Sequence, residues 1–275
     1  MKQLNSLRHI KYPIYARDLT LIEKLALKFK AVPIKCTVCG SYTLATITND
    51  NLRENCYCRS CNSFNRQRQI AFVLCNAIDS KHINSLKDLT TVNHLSIYNT
   101  ETSGTIHRYL SSLNGYFCSE YFGPQYLSGE IINNWMHQDL MALSFKDNQF
   151  DFVISTDVFE HIPEPYTAHQ EVFRVLKPGG RHIFTVPFYQ TEILDENRAL
   201  IDKEGNTIHH KEPLFHIDPL RKEGILVYNI FSIEMLVKLA KIGFRTNMYH
   251  LYRPVNGILG PNGLVFEAIK EQKNT

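Results

Sequence analysis

Five of the seven cysteines fall within residues 36–61, as Cys36-x2-Cys39 and Cys56-x-Cys58-x2-Cys61. Two Cys-x2-Cys knuckles separated by eighteen residues suit a tetrahedral zinc ribbon. Each knuckle offers two thiolates to one ion, and the intervening hairpin brings the pairs together. The expected ligands are Cys36, Cys39, Cys58 and Cys61, with Cys56 as an alternative to Cys58. Four thiolates saturate the ion, so the expected Zn2+ is structural rather than catalytic. In a reducing compartment such a cluster reads as metal binding before disulfides. A module this small has little core of its own, so the metal should supply much of its folding energy. Arg53, Arg59, Arg66 and Arg68 flank the knuckles. Phosphate contact is one use for them. Solvated surface, or pairing with the rest of the chain, is the favoured reading.

Acidic and imidazole side chains gather where apolar runs end. Glu120 closes the strand candidate Gly115 to Glu120, and Asp139 follows Trp135 to Gln138. A carboxylate at a strand end can accept hydrogen bonds from both hydroxyls of a ribose. Thr156 and Asp157 follow the run FDFVIS, and His161 lies four residues beyond Asp157. Helix capping competes as a role for Asp157, and a structural role competes for His161. Residues 188–225 form a long polar insertion, a lid, a binding loop or a set of short helices. In it or beside it stand Tyr189, His209, His210, Glu212, His216 and Asp218. His216 with Asp218 is the first choice for substrate binding or base work, with Tyr189 beside them. Loop anchoring is the alternative for His216.

These residues need a frame. Leu21, Ile22, Leu25 and Phe29 make a helical stripe, and residues 66–79 make another with Cys75 in the core. From His94 onward strands and helices alternate up to about residue 250. Lys177-Pro178-Gly179-Gly180 reads as the turn that stops one helix and returns the chain into the next strand. The pattern predicts an α/β fold, a doubly wound, mostly parallel seven-stranded sheet with a small N-terminal zinc-ribbon-like module. The last two strands, joined by RPVNGILGPNG, are expected to pair antiparallel at the edge. The organisation is 1–33 as a helical segment, 34–65 as the zinc module, 66–91 as a linking helix, and 92–275 as the main domain with its insertion at 188–225. Ligands of such sheets sit beyond the carboxyl ends of the strands.

The stretch from Gln138 to Pro187 resembles the class I S-adenosylmethionine-dependent methyltransferases, chiefly in Gln138-Asp139-Leu140, Phe150 to His161 and Glu171 to Gly180. The resemblance implies a Rossmann-like fold and S-adenosyl-L-methionine as cofactor. It implies that Glu120 holds the ribose and that Asp139 takes the adenine amine, with Leu140 against the ring. Thr156 and Asp157 would stand beside the methionine end. One loop departs from the family pattern. Between the first strand and its helix only Gly104 remains of the usual glycines. Glu101 is the candidate there for a polar contact to the methionine end. The segments around Glu212 to Pro219 and Gly224 to Tyr228 resemble a block in zinc-bearing relatives, expected at the open side of the cleft.

The remaining properties set limits. Among 275 residues, 44% are hydrophobic and 21% charged, as in ordinary globular proteins. A net charge of +3 is too small to imply a nucleic-acid partner by itself. No run of eighteen apolar residues and no signal peptide is seen, so no membrane partner and a cytoplasmic location are expected. The expected activity is methyl transfer to an oxygen or nitrogen of a small-molecule acceptor such as a sugar or another metabolite. A nucleic-acid or protein acceptor reached through the zinc module, or a non-catalytic scaffold on the same fold, are the alternatives.

Overall fold

The computed structural model describes residues 18–78, 82–92, 94–216 and 224–271. Helix α1 (Leu21–Phe29) is opened by a reciprocal cap. The Thr20 hydroxyl accepts from the Glu23 amide, and the Glu23 carboxylate accepts from the Thr20 amide. Glu23 is fully buried, and its other oxygen accepts from the Gly260 amide at 2.6 Å. The cap therefore ties the N-terminal helix to the C-terminal region.

Strands β1 (Ala31–Lys35), β2 (Tyr42–Thr46) and β3 (Tyr57–Cys58) form a small antiparallel sheet. Pro33 lies in an edge strand, where a missing amide donor costs least. Helix α2 (Asn65–Ala77) follows and buries Ile70, Ala71, Val73, Leu74 and Cys75.

Among the described residues the main sheet has six strands. They are β4 (Ile97–Asn99), β5 (Tyr116–Cys118), β6 (Phe150–Thr156), β7 (Leu176–Thr185), β8 (Phe244–His250) and β9 (Leu264–Lys270), in the order β8-β9-β7-β6-β4-β5. The pairs β5/β4, β4/β6 and β6/β7 are parallel, and β9 is antiparallel to both neighbours. Helices α3 (Gly104–Leu110), α4 (Pro165–Val175) and α5 (Ile233–Ile242) supply the crossovers. The sheet is therefore mixed, with its one reversed strand inside the sheet rather than at its edge.

The expected seventh strand is not formed among the described residues. Next to β5 there is only a single parallel bridge, Glu120 to His137. Trp135–Met136 instead pairs back on Ile131–Ile132. The turn between them is Asn133-Asn134, with φ of 50° and 69°. Positive φ at both central residues marks a tight hairpin turn, which takes the segment locally before it can extend along β5.

Two smaller expectations also change. Lys177 to Gly180 does not precede the strand but lies inside β7, as an irregularity facing Phe150 and Phe152. The described part of the insertion holds no helix. It folds as short antiparallel pairs: Glu196–Asn197 with Asn229–Ile230, Ala199–Ile201 with Thr207–His209, and Phe215–His216 with Ile225–Leu226.

Each face of the main sheet carries its own core. One apolar cluster runs from Val32, Ile34, Ala45 and Leu52 of the cysteine-bearing part through Ile70 and Leu74 to Ile97, Ile154 and Val265. The other joins Phe150, Phe159, Val172, Phe184, Leu239 and Phe266. The cysteine-bearing part thus packs on the main sheet through continuous apolar contact, which α/β sheets otherwise obtain from helices.

Candidate functional site: strand tips, four cysteines and a histidine pair

The parallel strands end together, with Glu101 beyond β4, Glu120 beyond β5 and Asp139 held beside Glu120 by the backbone. The Gln138 amide donates to the Glu120 carbonyl at 3.1 Å, so the backbone fixes Asp139 one residue beyond a direct partner of Glu120. The Thr102 hydroxyl donates to Glu120 Oε2 at 3.3 Å. Asp139 Oδ1 accepts from the Met141 amide at 2.8 Å, and the Asp139 amide donates to Ser128 Oγ at 2.9 Å. One Asp139 oxygen is thus spent on its own turn. Leu140 is buried directly after it.

The loop after β4 closes on these groups. Thr156 Oγ1 donates to Glu101 Oε1 at 2.7 Å. Burial pushes the Glu101 carboxyl up, and the Thr156 hydrogen bond only partly offsets that. At the tip of β4, Asn99 Oδ1 and Thr100 Oγ1 are buried without a hydrogen-bond partner among the described residues. Gly104 starts α3 at φ 81°, a left-handed turn in which glycine carries no steric cost. Glu101, Gly104, Glu120, Asp139, Leu140 and Thr156 therefore share one end of the sheet. Unpartnered buried oxygens and several acids there fit a polar ligand with amine and hydroxyl groups.

Asp157 sits with them but is already taken. Arg53 donates to both of its oxygens at 2.8 Å each, and Thr185 Oγ1 donates at 2.7 Å. Arg66 Nη1 lies 3.4 Å from Oδ2. Burial alone would raise this carboxyl, yet Arg53 and Arg66 hold it well below the usual carboxylate range. The residue has φ 53°, so it ends β6 in a left-handed turn instead of capping a helix. Arg68 is fully buried and donates to the carbonyls of Ser63, Cys56 and Gly257. Of the four flanking arginines, three thus join the cysteine-bearing part to the rest. Arg59 is exposed and bonds Thr46, and with Arg108 it lines a cleft at the second knuckle.

The sulfurs of Cys36, Cys39, Cys58 and Cys61 lie within 4.8 Å of one another, and all four residues are buried. The Cys36–Cys61 and Cys39–Cys58 separations are 3.8 and 3.9 Å. Thiolates about 2.3 Å from one zinc ion stand about 3.8 Å apart, so the spacing fits a tetrahedral ion. The two knuckles are built alike. Gly40 and Asn62 each follow the second cysteine, at φ 76° and 63°, and their amides close on Cys36 and Cys58 carbonyls at 2.9 and 2.8 Å. Cys56 is buried outside this quartet, and its carbonyl serves Arg68.

Residues 119–184 match the family described as a methyltransferase domain. That stretch begins just after β5 and ends within β7, so it contains Glu120, Asp139, Thr156 and Asp157. A sterol 24-C-methyltransferase of Neurospora crassa is 41% identical over 119 residues, 43% of this chain and 27% of its own length. A ubiquinone/menaquinone biosynthesis C-methyltransferase of Ruegeria is 46% identical over 48 residues, 18% of this chain and 19% of its own. Phosphoethanolamine N-methyltransferase 2 of Caenorhabditis elegans is 38% identical over 48 residues, 18% of this chain and 11% of its own. The chain thus spans at most about a quarter of these curated relatives, 27% in the Neurospora case. A solved S-adenosylmethionine-dependent methyltransferase of Mesorhizobium loti is 17% identical, with a TM-score of 0.41, over 64% of this chain and 90% of that one.

The candidate residues of the insertion are scattered. Tyr189 packs against Leu214, Val227 and Ile230, and its amide donates to Phe231 O at 2.8 Å. His209, His210 and Glu212 are exposed on the Thr207–His209 hairpin or just after it. Asp218 lies outside the described residues. His216 is brought to His161, ring to ring at 4.9 Å, with Glu160 Oε1 3.4 Å from its Nδ1. Glu160 was not singled out by the sequence, because an acid next to an unassigned histidine carries no periodic signal. Arg53 and Arg66 as partners of Asp157 were equally invisible, since Arg53 and Asp157 are 104 positions apart.

Proposed function

We propose that the chain is an S-adenosylmethionine-dependent methyltransferase whose cofactor lies across the tips of β4, β5 and β6. The observation that carries this reading is the adjacency of Glu120 and Asp139, fixed through the Gln138 amide, within the stretch that matches methyltransferase domains. Glu120 accepts from the ribose hydroxyls. Asp139 accepts from the adenine amine with the oxygen its own turn does not use, and Leu140 packs on the ring. The Glu101–Thr156 pair stands at the methionine end, where Asp157 contributes backbone groups while Arg53 neutralises its carboxylate. When bound, the cofactor supplies an electrophilic methyl on sulfur. The chain's task is then to align an acceptor and exclude water. The insertion supplies the acceptor side, with His216 as its principal polar residue and Tyr189 in its wall. A small-molecule oxygen or nitrogen acceptor is the reading we favour, because three of the four arginines near the knuckles are spent on internal contacts.

We further propose that the four cysteines hold one structural Zn2+. Their sulfur spacing supports it, and four thiolates leave no open position for chemistry.

Titration with labelled S-adenosylmethionine tests the first reading. Saturable binding is expected in the wild type, with a loss of at least about tenfold in Glu120→Ala and in Asp139→Ala. Binding unchanged in both variants would remove the site assignment.

A further inference from the structure

We propose that Glu160, His161 and His216 hold a divalent transition-metal ion beside the tip of β6, separate from the four-cysteine site. Oxygen and nitrogen atoms from these three side chains lie within 4.8 Å of one another. Glu160 Oε1 is 3.4 Å from His216 Nδ1 and 3.7 Å from His161 Nε2. Ligands about 2.0–2.2 Å from one ion stand about 3.4 Å apart in a tetrahedral arrangement. The observed separations are longer than ordinary hydrogen bonds and near that edge length.

Glu160 is the independent sign. Its side chain is fully buried, and among the described residues neither carboxylate oxygen has a hydrogen-bond partner. A buried carboxylate that accepts no hydrogen bond is costly, and a cation between it and the two imidazoles removes that cost. The histidines are oriented for this. His161 Nδ1 bonds the Leu226 carbonyl at 2.7 Å, which assigns the proton to Nδ1 and leaves the Nε2 lone pair facing Glu160. A ring whose second nitrogen is held by a backbone carbonyl is the usual support for a metal-ligating histidine.

The same hairpin that supplies Leu226 carries His216, since Phe215–His216 pairs with Ile225–Leu226. Gly224 permits the close fit. At φ 80°, a Cβ there would stand 2.5 Å from the His216 carbonyl oxygen. The Tyr228 amide also donates to the Glu160 carbonyl at 2.8 Å, which docks the insertion on the turn after β6. His216 keeps 21% of its side chain exposed and His161 9%, so the ion would be open on one side. Two imidazoles and one carboxylate leave positions for further ligands. If the methyltransferase reading holds, those positions face the acceptor side and select an acceptor that offers an oxygen to the ion. The metal site itself does not require that reading.

Mn2+ is the probe, because it binds oxygen and nitrogen donors and avoids thiolates. Protein with one zinc equivalent already bound is titrated with Mn2+ alone, and free Mn2+ is followed by electron paramagnetic resonance. One site per chain is expected, weakened at least tenfold in Glu160→Gln and in His216→Ala. The His216 variant keeps the test valid if the buried Glu160 substitution disturbs folding. Labelled-cofactor binding is measured on the same samples, so loss of the methyltransferase reading and loss of the metal site register separately. No Mn2+ site in the wild type, or equal affinity in a folded His216→Ala, would overturn the proposal.

Discussion

Arg53 and Asp157 are joined by two parallel hydrogen bonds of 2.8 Å, between the cysteine-bearing part and the tip of a central strand. The pair is bidentate, and only 15% and 18% of the two side chains is exposed. Fork-to-carboxylate geometry of this kind is among the stronger ion pairs. It makes the cysteine-bearing part a support for the strand tips rather than an independent appendage.

Removing one partner leaves the other charge poorly solvated. Asp157→Ala is expected to lose about 2–3 kcal/mol of stability, below the range for a fully buried pair because some solvent reaches it. A double-mutant cycle with Arg53→Ala, read by chemical denaturation, should show a coupling of about 1 kcal/mol or more. Arg66 keeps part of the interaction in the Arg53 variant. Purely additive losses would mean that the two residues do not act as a pair in solution.

The proposed zinc site distinguishes two neighbouring cysteines. Cys58→Ala should abolish near-stoichiometric zinc, while Cys56→Ala should retain it. Metal analysis of purified variants reads the difference directly. Chelation should also lower the unfolding temperature of the whole chain, because the apolar cluster around the knuckles continues to Ile97 and Ile154 of the main sheet. A chain without bound zinc, or one that keeps zinc in Cys58→Ala, would end the assignment.

Acid sensitivity should come from a buried histidine stack. His169 is fully buried, with neither ring nitrogen hydrogen-bonded among the described residues, and stacks on Phe159 at 4.2 Å. Burial lowers its pKa from an ordinary 6.5 to about 3. Burial also holds His182 well below its ordinary value, with His169 adding to the effect. The unfolded chain binds these protons below about pH 6.5 and the folded chain does not. Stability is therefore full above that pH and falls as the pH drops toward 3, by about 1.4 kcal/mol per pH unit for each imidazole. Thermal unfolding at pH 7.5 and 5.5 measures the fall, and His169→Phe should make it shallower. An unchanged slope in that variant would place the acid sensitivity elsewhere.

The sequence carried those parts whose signals are local. The Cys-x2-Cys spacing named the quartet now found within 4.8 Å, since a knuckle is a turn closed by its own backbone. The run FDFVIS announced β6, because a strand buried on both faces is mostly apolar. Strand ends in turn pointed to Glu120 and Thr156, whereas the strand expected before Asp139 did not join the sheet. Tertiary structure decided what depended on distant partners. Asn133-Asn134 drew Trp135–Met136 into a hairpin and left the sheet with six strands, a competition between two pairings that both fit the sequence. Asp157 received two arginines from residues a hundred positions earlier, and Glu160 met His216 only because an insertion folds back on the turn after β6. Side-chain chemistry and periodicity are written along the chain, whereas the pairing of charges is set by which surfaces close upon each other.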